Sequence, residues 1–347
     1  MTIAPGTPAP QFRAPSPVNP AFEFASLGGR LILLVFLPEP SPERAACLDR
    51  IAARRELFRD DNAVVFGVDP DPVSYAAATD TPNGLRWFSD ASGEVRRLYH
   101  VEAPRWFLID PSLRVIDHGP LDQVDAALEA IARIGDADRH AGVPVTAPVL
   151  LVPRVLEPAF CRELIEAYDA DGGAPSGVMH TVEGKFVGLF DRQKKRRDAQ
   201  IPEGPLREGL RARLGRRLVP EIKRAFQFEV SRIERYIVAC YDAEEGGFFK
   251  PHIDNGAPQT AHRKFAVTIN LNGDFEGGDL RFPEFGRRTY RAPAGGAVVF
   301  SCSLLHEATP VTAGRRYATL PFLYDEAGQR LREDNARIEA EAAQSRA

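Results

Sequence analysis

No apolar run in this chain is long enough to cross a bilayer: LILLVFLP stops after eight residues, where about 20 are needed. Cysteine is scarce as well. The four present, Cys47, Cys161, Cys240 and Cys302, are too scattered for a metal knuckle or a dense disulfide framework, so reduced thiols are expected. The opening MTIAPGTPAPQFRAPSP has neither the basic region nor the apolar core of a secretory leader, which points to the cytoplasm. Lysine is missing before Lys185, and arginine carries the positive charge there. With a net charge of −4 and a pI near 6.0, the whole molecule gives no electrostatic reason to bind nucleic acid. What is present is ample core material: 347 residues, 44% hydrophobic and 27% charged, enough for two soluble domains.

The first half alternates between strand and helix signals. RLILLVFLP is an apolar strand, and SPERAACLDRIAARRELFRD is a helix with Ser41 as N-cap, Pro42 in the first turn, and Leu48, Ile51, Ala52 and Phe58 at helical spacing. AVVFGVDPD is the next strand. A helical stretch near Asp71 to Ala78, a short strand LRWF, a helix EVRRLYH, a hairpin RWFLIDPSLRVIDHG and a closing helix from Leu121 to Ile134 follow. Such alternation predicts an α/β sandwich around a mixed sheet.

Over roughly positions 5 to 135 these residues resemble a peroxiredoxin of the alkyl hydroperoxide reductase type, a thioredoxin-fold family. The resemblance rests on GTPAPQF, the strand ending FLP, the helix start SPER and the hairpin RWFLIDPSLRVI. It implies a peroxidatic cysteine at the helix start, where this chain has Arg44, and a guanidinium cannot attack a peroxide. Cys47, one turn farther on, is either a displaced reactive thiol or a small buried residue sharing a face with Ile51. A degenerate redoxin domain serving docking, dimerisation or substrate presentation is expected.

From Gly135 to Pro148, GDADRHAGVPVTAP loses periodicity. We read residues 1–138 as the redoxin-like domain, 139–147 as a linker, 148–326 as a second domain and 327–347 as a charged helical tail. The second domain opens with a strand and an amphipathic helix in VLLVPRVLEPAFCRELIEAYDA, with Phe160, Leu164, Ile165 and Tyr168 on one face. Beyond Arg232 come closely spaced strands, RIERYIVACY, RKFAVTINLN, GGDLRFPEF, RRTYRAPAGGAVVFSCS and RRYATLPFLYDE, separated by DAEEGG, NGDFEGG and PAGG turns. These predict an antiparallel double-sheet barrel.

Within it, KPHIDN places His252 and Asp254 two residues apart, on one face of a strand, and His306 follows the apolar strand AVVFSCSLL. Two imidazoles and a carboxylate fit the facial triad of non-haem Fe(II) oxygenases, and zinc accepts the same donors. His-x-Asp alone is weak evidence. His180 and His262 fit no ligand spacing and read as surface or loop residues.

The context strengthens it. VACYDAEEGGFFKPHID, RKFAVTINLN, GGDLRFP and HEATPVTAGRRY resemble the 2-oxoglutarate- and Fe(II)-dependent dioxygenases of the prolyl 4-hydroxylase-like branch, over roughly residues 146 to 326. The resemblance implies a double-stranded β-helix (jelly roll) with flanking helices, behind the thioredoxin-like α/β sandwich. It implies His252, Asp254 and His306 as iron ligands and catalytic centre, and Arg316 as the fork that binds the distal carboxylate of 2-oxoglutarate, with Arg315 turned away by strand alternation. Tyr241 would belong to the co-substrate pocket. Asn270 stands where the family often has a second tyrosine, and could donate a shorter hydrogen bond to that carboxylate. Fe(II), 2-oxoglutarate and O2 are the implied cofactors, with ascorbate as an optional addition.

The substrate would be a peptide, protein or small molecule, with proline favoured by the resemblance. The basic loop 192–197, in FDRQKKRRDAQI, is placed to meet it or else is a solvated charge run. A homodimer is compatible with this reading and a membrane partner is not. Three alternatives stay open: a thiol redox protein working through Cys47, a non-catalytic metal-binding scaffold, and a nucleic-acid demethylase whose basic loop grips phosphates.

Overall fold

The computed structural model describes residues 3–182, 185–189 and 193–344, and the chain divides into two compact units, Met1–Ala147 with Phe282–Arg288, and Pro148–Arg281 with Thr289–Ala347. The stretch expected as a linker falls in the first unit. There His140 Nδ1 lies 3.5 Å from Asp110 Oδ2, and Ala147 is buried.

The first unit is built on a five-stranded mixed sheet in the order Leu85–Ser89, Ala63–Asp69, Leu31–Phe36, Arg105–Ile109, Val115–Pro120. The first three strands run parallel and the last two are antiparallel additions. Its central strand is apolar at every position because both faces are covered. Ile32, Leu34 and Phe36 join the core on one side, with Phe66 and Phe107. Leu31, Leu33 and Val35 join the other, with Leu108, Cys47 and the Val124–Ile134 helix. Each such buried side chain contributes about 1.5–3 kcal/mol.

The Pro42–Ala53 helix begins as its sequence dictates: the Ser41 side chain accepts from the Arg44 amide at 3.2 Å, and Pro42 occupies the first turn. It ends earlier than the periodicity suggests, at Ala53, and a short 3-10 turn Arg55–Leu57 follows. Arg44 is buried. Its two terminal nitrogens donate to Asp69 at 2.9 and 2.6 Å, and Asp69 also accepts from Ser74 Oγ and the Asp71 amide. The position that the peroxiredoxin resemblance assigns to a nucleophile is thus filled by a structural ion pair.

Cys47 faces the core, and burial pushes its thiol up to about 12. A thiol held protonated is a poor nucleophile. The full chain should therefore consume hydrogen peroxide no faster than its Cys47→Ser variant, and a slower variant would reinstate the redox alternative.

The second unit is built on two main antiparallel sheets, beside two-stranded ribbons. The larger runs in the order Arg232–Glu234, Phe322–Tyr324, Phe265–Asn270, Arg315–Thr319, Ile237–Asp242, Arg197–Gln200, Ala174–Pro175, and Ala297–Ser301 pairs with the other edge of Phe265–Asn270. The smaller runs Lys194–Lys195, Phe248–His252, His306–Ala308, Leu280–Arg281, Thr289–Tyr290. The Pro158–Asp171 helix packs on the larger sheet through Phe160, Cys161, Leu164 and Tyr168, with Ile165 half-buried at the margin. The tail is the Glu326–Gln344 helix, held by Arg332 donating to the Tyr324 hydroxyl at 2.9 Å and Asn335 donating to the Pro258 carbonyl at 2.6 Å. No helix among the described residues is long and apolar enough to cross a membrane.

Candidate metal centre

The smaller sheet makes the site. His252 and His306 are direct register partners on adjacent antiparallel strands, with ring centroids 4.3 Å apart. That register depends on a bulge, because Phe249 pairs with Ala308 and three steps on one strand match two on the other. Pro251 lies inside the bulge, where its missing N–H costs no ladder bond.

Asp254 reaches the same point by a different route from the one alternation suggests. The strand ends at His252, and Asp254 sits in the following turn, its amide donating to the Cys302 carbonyl at 3.1 Å. Its carboxylate lies 3.6 Å from His252 Nε2 and 3.3 Å from His306 Nε2. One ligand atom from each of the three residues falls within 4.8 Å of the others.

The second nitrogen of each ring fixes its orientation. His252 Nδ1 bonds the Lys250 carbonyl at 2.8 Å and His306 Nδ1 bonds the Leu304 carbonyl at 3.0 Å, so each Nδ1 donates and each Nε2 is turned toward Asp254. Burial pushes the Asp254 carboxyl up, but His306 and His252 outweigh it and hold it well below the usual carboxylate range. Burial, with His306 nearby, pushes His252 down. Against the cost of burial, Asp254 holds His306 above its ordinary value. The triad thus offers an anion and a lone pair, and a cation can take the place of the shared proton. The donor set would suit Fe(II), which His252, Asp254 and His306 would hold.

Arg316 lines the same cavity as the triad. It pairs in register with Tyr241, its guanidinium lies 5.2 Å from the Tyr241 ring centroid, and its Nε donates to Asn270 Oδ1 at 3.0 Å. Neither terminal nitrogen donates to a described residue, so the fork is available. Burial pushes its pKa down, as expected for a cation in a dry pocket without a carboxylate of its own. Gly278, at φ +67°, crosses close by, and a Cβ there would sit 3.1 Å from Arg316 Cδ. Arg315 points away and pairs with Asp242 at 2.7 Å, as alternation requires.

Asn270 is buried beside Arg316. Its Nδ2 donates to the Ala292 carbonyl at 2.8 Å and its Oδ1 is taken by Arg316. With its oxygen held by Arg316 and one N–H on Ala292, it steadies the Arg316 guanidinium and keeps a second Nδ2 hydrogen. Tyr241 is buried, and its hydroxyl accepts from Arg196 Nη1 at 3.2 Å.

The basic run is not uniform. Lys195 is exposed, but Arg196 is buried, donating through Nε and Nη2 to Asp198 at 2.7 Å each. Lys194 bonds Ser176 Oγ at 2.9 Å and Arg197 bonds the Gly173 carbonyl at 2.6 Å. Arg192 and the side chain of His180 lie outside the described residues. Arg196, and with it Arg235, lines the metal cavity. Sequence reasoning held Arg196 only as one of the cations of the basic loop 192–197 and did not single out Arg235. Alternation along RRDAQI would have sent Arg196 and Asp198 to one face, whereas nothing local singles out Arg235. His262, read from sequence as a surface or loop residue, is instead buried, 2.5 Å from Glu234 Oε2, because Glu234 and Arg263 close around it.

Two family models match the chain. Residues 236–324 match the 2OG-Fe(II) oxygenase superfamily, and residues 5–122 match the AhpC/TSA family. A PKHD-type hydroxylase from Pseudomonas fluorescens is 31% identical over 147 residues, covering 40% of this chain and 64% of the relative. One from a Synechococcus strain is 24% identical over 153 residues, covering 41% and 66%. The chain thus spans just under two thirds of the length of these relatives. A prolyl-4-hydroxylase structure from Pseudomonas putida aligns with a TM-score of 0.41 at 19% identity, covering 52% of this chain and 94% of that one.

Proposed function

From a chain that joins an AhpC/TSA thioredoxin-like domain to a 2OG-Fe(II) oxygenase domain, we propose a 2-oxoglutarate- and Fe(II)-dependent dioxygenase that hydroxylates a C–H bond, on a protein prolyl or other side chain. The observation that carries this reading is the joint placement of His252, Asp254 and His306 with the free fork of Arg316 in one cavity. Metal ligands alone would suit a scaffold; a buried, oriented and unpaired guanidinium beside them suits a dicarboxylate co-substrate. The prolyl assignment draws on the resemblance of HEATPVTAGRRY and its companion blocks to prolyl 4-hydroxylases.

When bound, Fe(II) supplies the activation of O2, with 2-oxoglutarate oxidised to succinate and CO2 as the substrate C–H becomes C–OH. The chain's own residues do the rest. The Nδ1 bonds to Lys250 and Leu304 hold the imidazoles in the tautomer that presents Nε2. Arg316, steadied by Asn270 at Nε and by the Tyr241 ring, aims its two terminal nitrogens at one carboxylate. Phe249 and Phe300, packed at 3.5 and 4.6 Å from the His252 and His306 rings, keep water off the ligand atoms.

The test is anaerobic loading of the full chain with Fe(II) and 2-oxoglutarate, followed by O2 and measurement of succinate. Wild-type protein should release succinate. Arg316→Lys keeps the charge but loses the fork, and should raise the KM for 2-oxoglutarate by about tenfold or more, the scale of one charge-assisted hydrogen bond. An unchanged KM would remove Arg316 from the co-substrate site, and no succinate from wild type would overturn the reading.

A further inference from the structure

Arg235 is the group in the metal cavity with no assigned work. It falls between the Arg232–Glu234 and Ile237–Asp242 strands, at φ +71°, a left-handed conformation that a non-glycine residue adopts only where its surroundings hold it there. The kink redirects the side chain so that it lines the cavity with His252, Asp254 and His306.

Its surroundings leave it short of negative charge. The nearest carboxylate, Asp198, stands 3.6 Å away and already accepts two bonds from Arg196 and one from Ser176. No hydrogen bond runs from the Arg235 guanidinium to a described residue; it lies by the Phe322 ring, 5.3 Å from the guanidinium carbon to the centroid, and feels the charge of Asp254 and, against it, that of Arg263. Burial first, and the like charge of Arg196 second, push its pKa down to about 10, so it remains a cation at neutral pH but an under-compensated one.

Charge counting over the cavity gives the same result. Among the described residues lining it are three guanidiniums, Arg196, Arg235 and Arg316, and one carboxylate, Asp254. Arg196 is matched by Asp198. In the oxygenase reading, the single charge of Asp254 and the double charge of 2-oxoglutarate together balance a divalent ion and Arg316. Arg235 is left over.

We propose that Arg235 is the receptor for a carboxylate on the substrate, so that the C–H bond oxidised at this centre belongs to an anionic molecule or segment. This rests on the oxygenase reading and narrows it to a substrate class. The carboxylate has two sources, a free α-carboxylate on a small molecule or chain terminus, and an acidic side chain within a peptide. A guanidinium serves either through the same forked pair of hydrogen bonds.

The test uses the full chain loaded with Mn(II) and 2-oxoglutarate, and reads the paramagnetic relaxation of probe protons by NMR, a binding signal independent of turnover. Two matched pairs are compared: N-acetylproline with N-acetylprolinamide, and N-acetyl-prolyl-aspartyl amide with N-acetyl-prolyl-asparaginyl amide. In at least one pair the carboxylate form should bind on the order of tenfold more tightly or better, as a desolvated charge pair requires. Arg235→Gln should erase that preference and Arg235→Lys should keep part of it, with the charge retained over Phe322. A preference confined to the first pair assigns a free acid, and one confined to the second assigns an acidic peptide. Equal behaviour within both pairs, including no binding by either member, overturns the proposal without any variant, and a preference that survives in Arg235→Gln overturns it too. The co-substrate's own protons separate the two failures. If Mn(II) leaves them unrelaxed, the oxygenase reading falls and takes this proposal with it. If they are relaxed while the pairs are not discriminated, this proposal alone falls.

Discussion

Asp254→Ala is expected to lose stoichiometric Fe(II) and to slow succinate release by more than the roughly 10–100-fold that loss of an outer partner of a metal site costs. Among the described residues Asp254 is the one anion within reach of both imidazole Nε2 atoms, at 3.6 and 3.3 Å, so its removal takes away a donor and the negative charge that draws a divalent ion into a buried pocket. The two imidazoles, 4.3 Å apart between centroids, would still face each other, but as neutral donors alone. Asp254→Glu keeps the charge and moves it by one methylene, so it should recover metal binding more fully than activity. Iron content of the purified protein, beside succinate released per minute, separates the effects. An Asp254→Ala protein that holds iron as the wild type does would dismiss the triad as the centre.

The other large effect is on stability, in the first unit. Asp69→Ala leaves the buried Arg44 guanidinium without its partner, and breaking such a pair costs about 3–5 kcal/mol. Both tryptophans, Trp87 and Trp106, lie in this unit, so their emission during denaturant unfolding reports on it alone. The midpoint should fall sharply for Asp69→Ala. Arg44→Met combined with Asp69→Leu should recover part of the loss, because the charges leave together while Ser74 and the Asp71 amide still lose an acceptor.

The same carboxylate sets a pH dependence. Burial pushes Asp69 up, but hydrogen bonds from Arg44, Ser74 and the Asp71 amide outweigh it and place its folded pKa below the unfolded one. A depressed carboxylate binds fewer protons when folded, so its stabilisation is fully present above an unfolded value of about 3.9 and drains away as pH falls through the folded value. Tryptophan-detected stability should therefore drop below about pH 4 in the wild type and less steeply in Asp69→Ala. Equal slopes would show that Asp69 is not linked to folding.

Much of this architecture was legible in the sequence. Ser41 and Pro42 announce the helix they cap, and LILLVF needs cover on both faces and receives it. His252, His306 and Arg316 were legible because strand spacing and flanking blocks locate them. What stayed hidden has physical reasons. Asp254 was named with the histidines, but its route was not legible: the strand has ended, and a turn bond to Cys302 replaces the alternation. Arg196 sits in a run of four cations, and alternation puts it on one face with Asp198, but which face is inward is set by the pairing itself. Arg235 is aimed by a single left-handed residue, and Asn270 takes its role from Arg316, 46 positions away. The grouping of Phe282–Arg288 with the first unit has no signal in the stretch itself.

The bulge at Lys250 and Pro251 makes the metal centre depend on chain length as much as on residue identity. Side chains along a strand follow a two-step frame, and one extra residue shifts that frame so that His252 arrives opposite His306. Neither Lys250 nor Pro251 need touch the ion for this. Their contribution is to be counted, and a chain one residue shorter here would keep every ligand in its alphabet while turning the first of them outward.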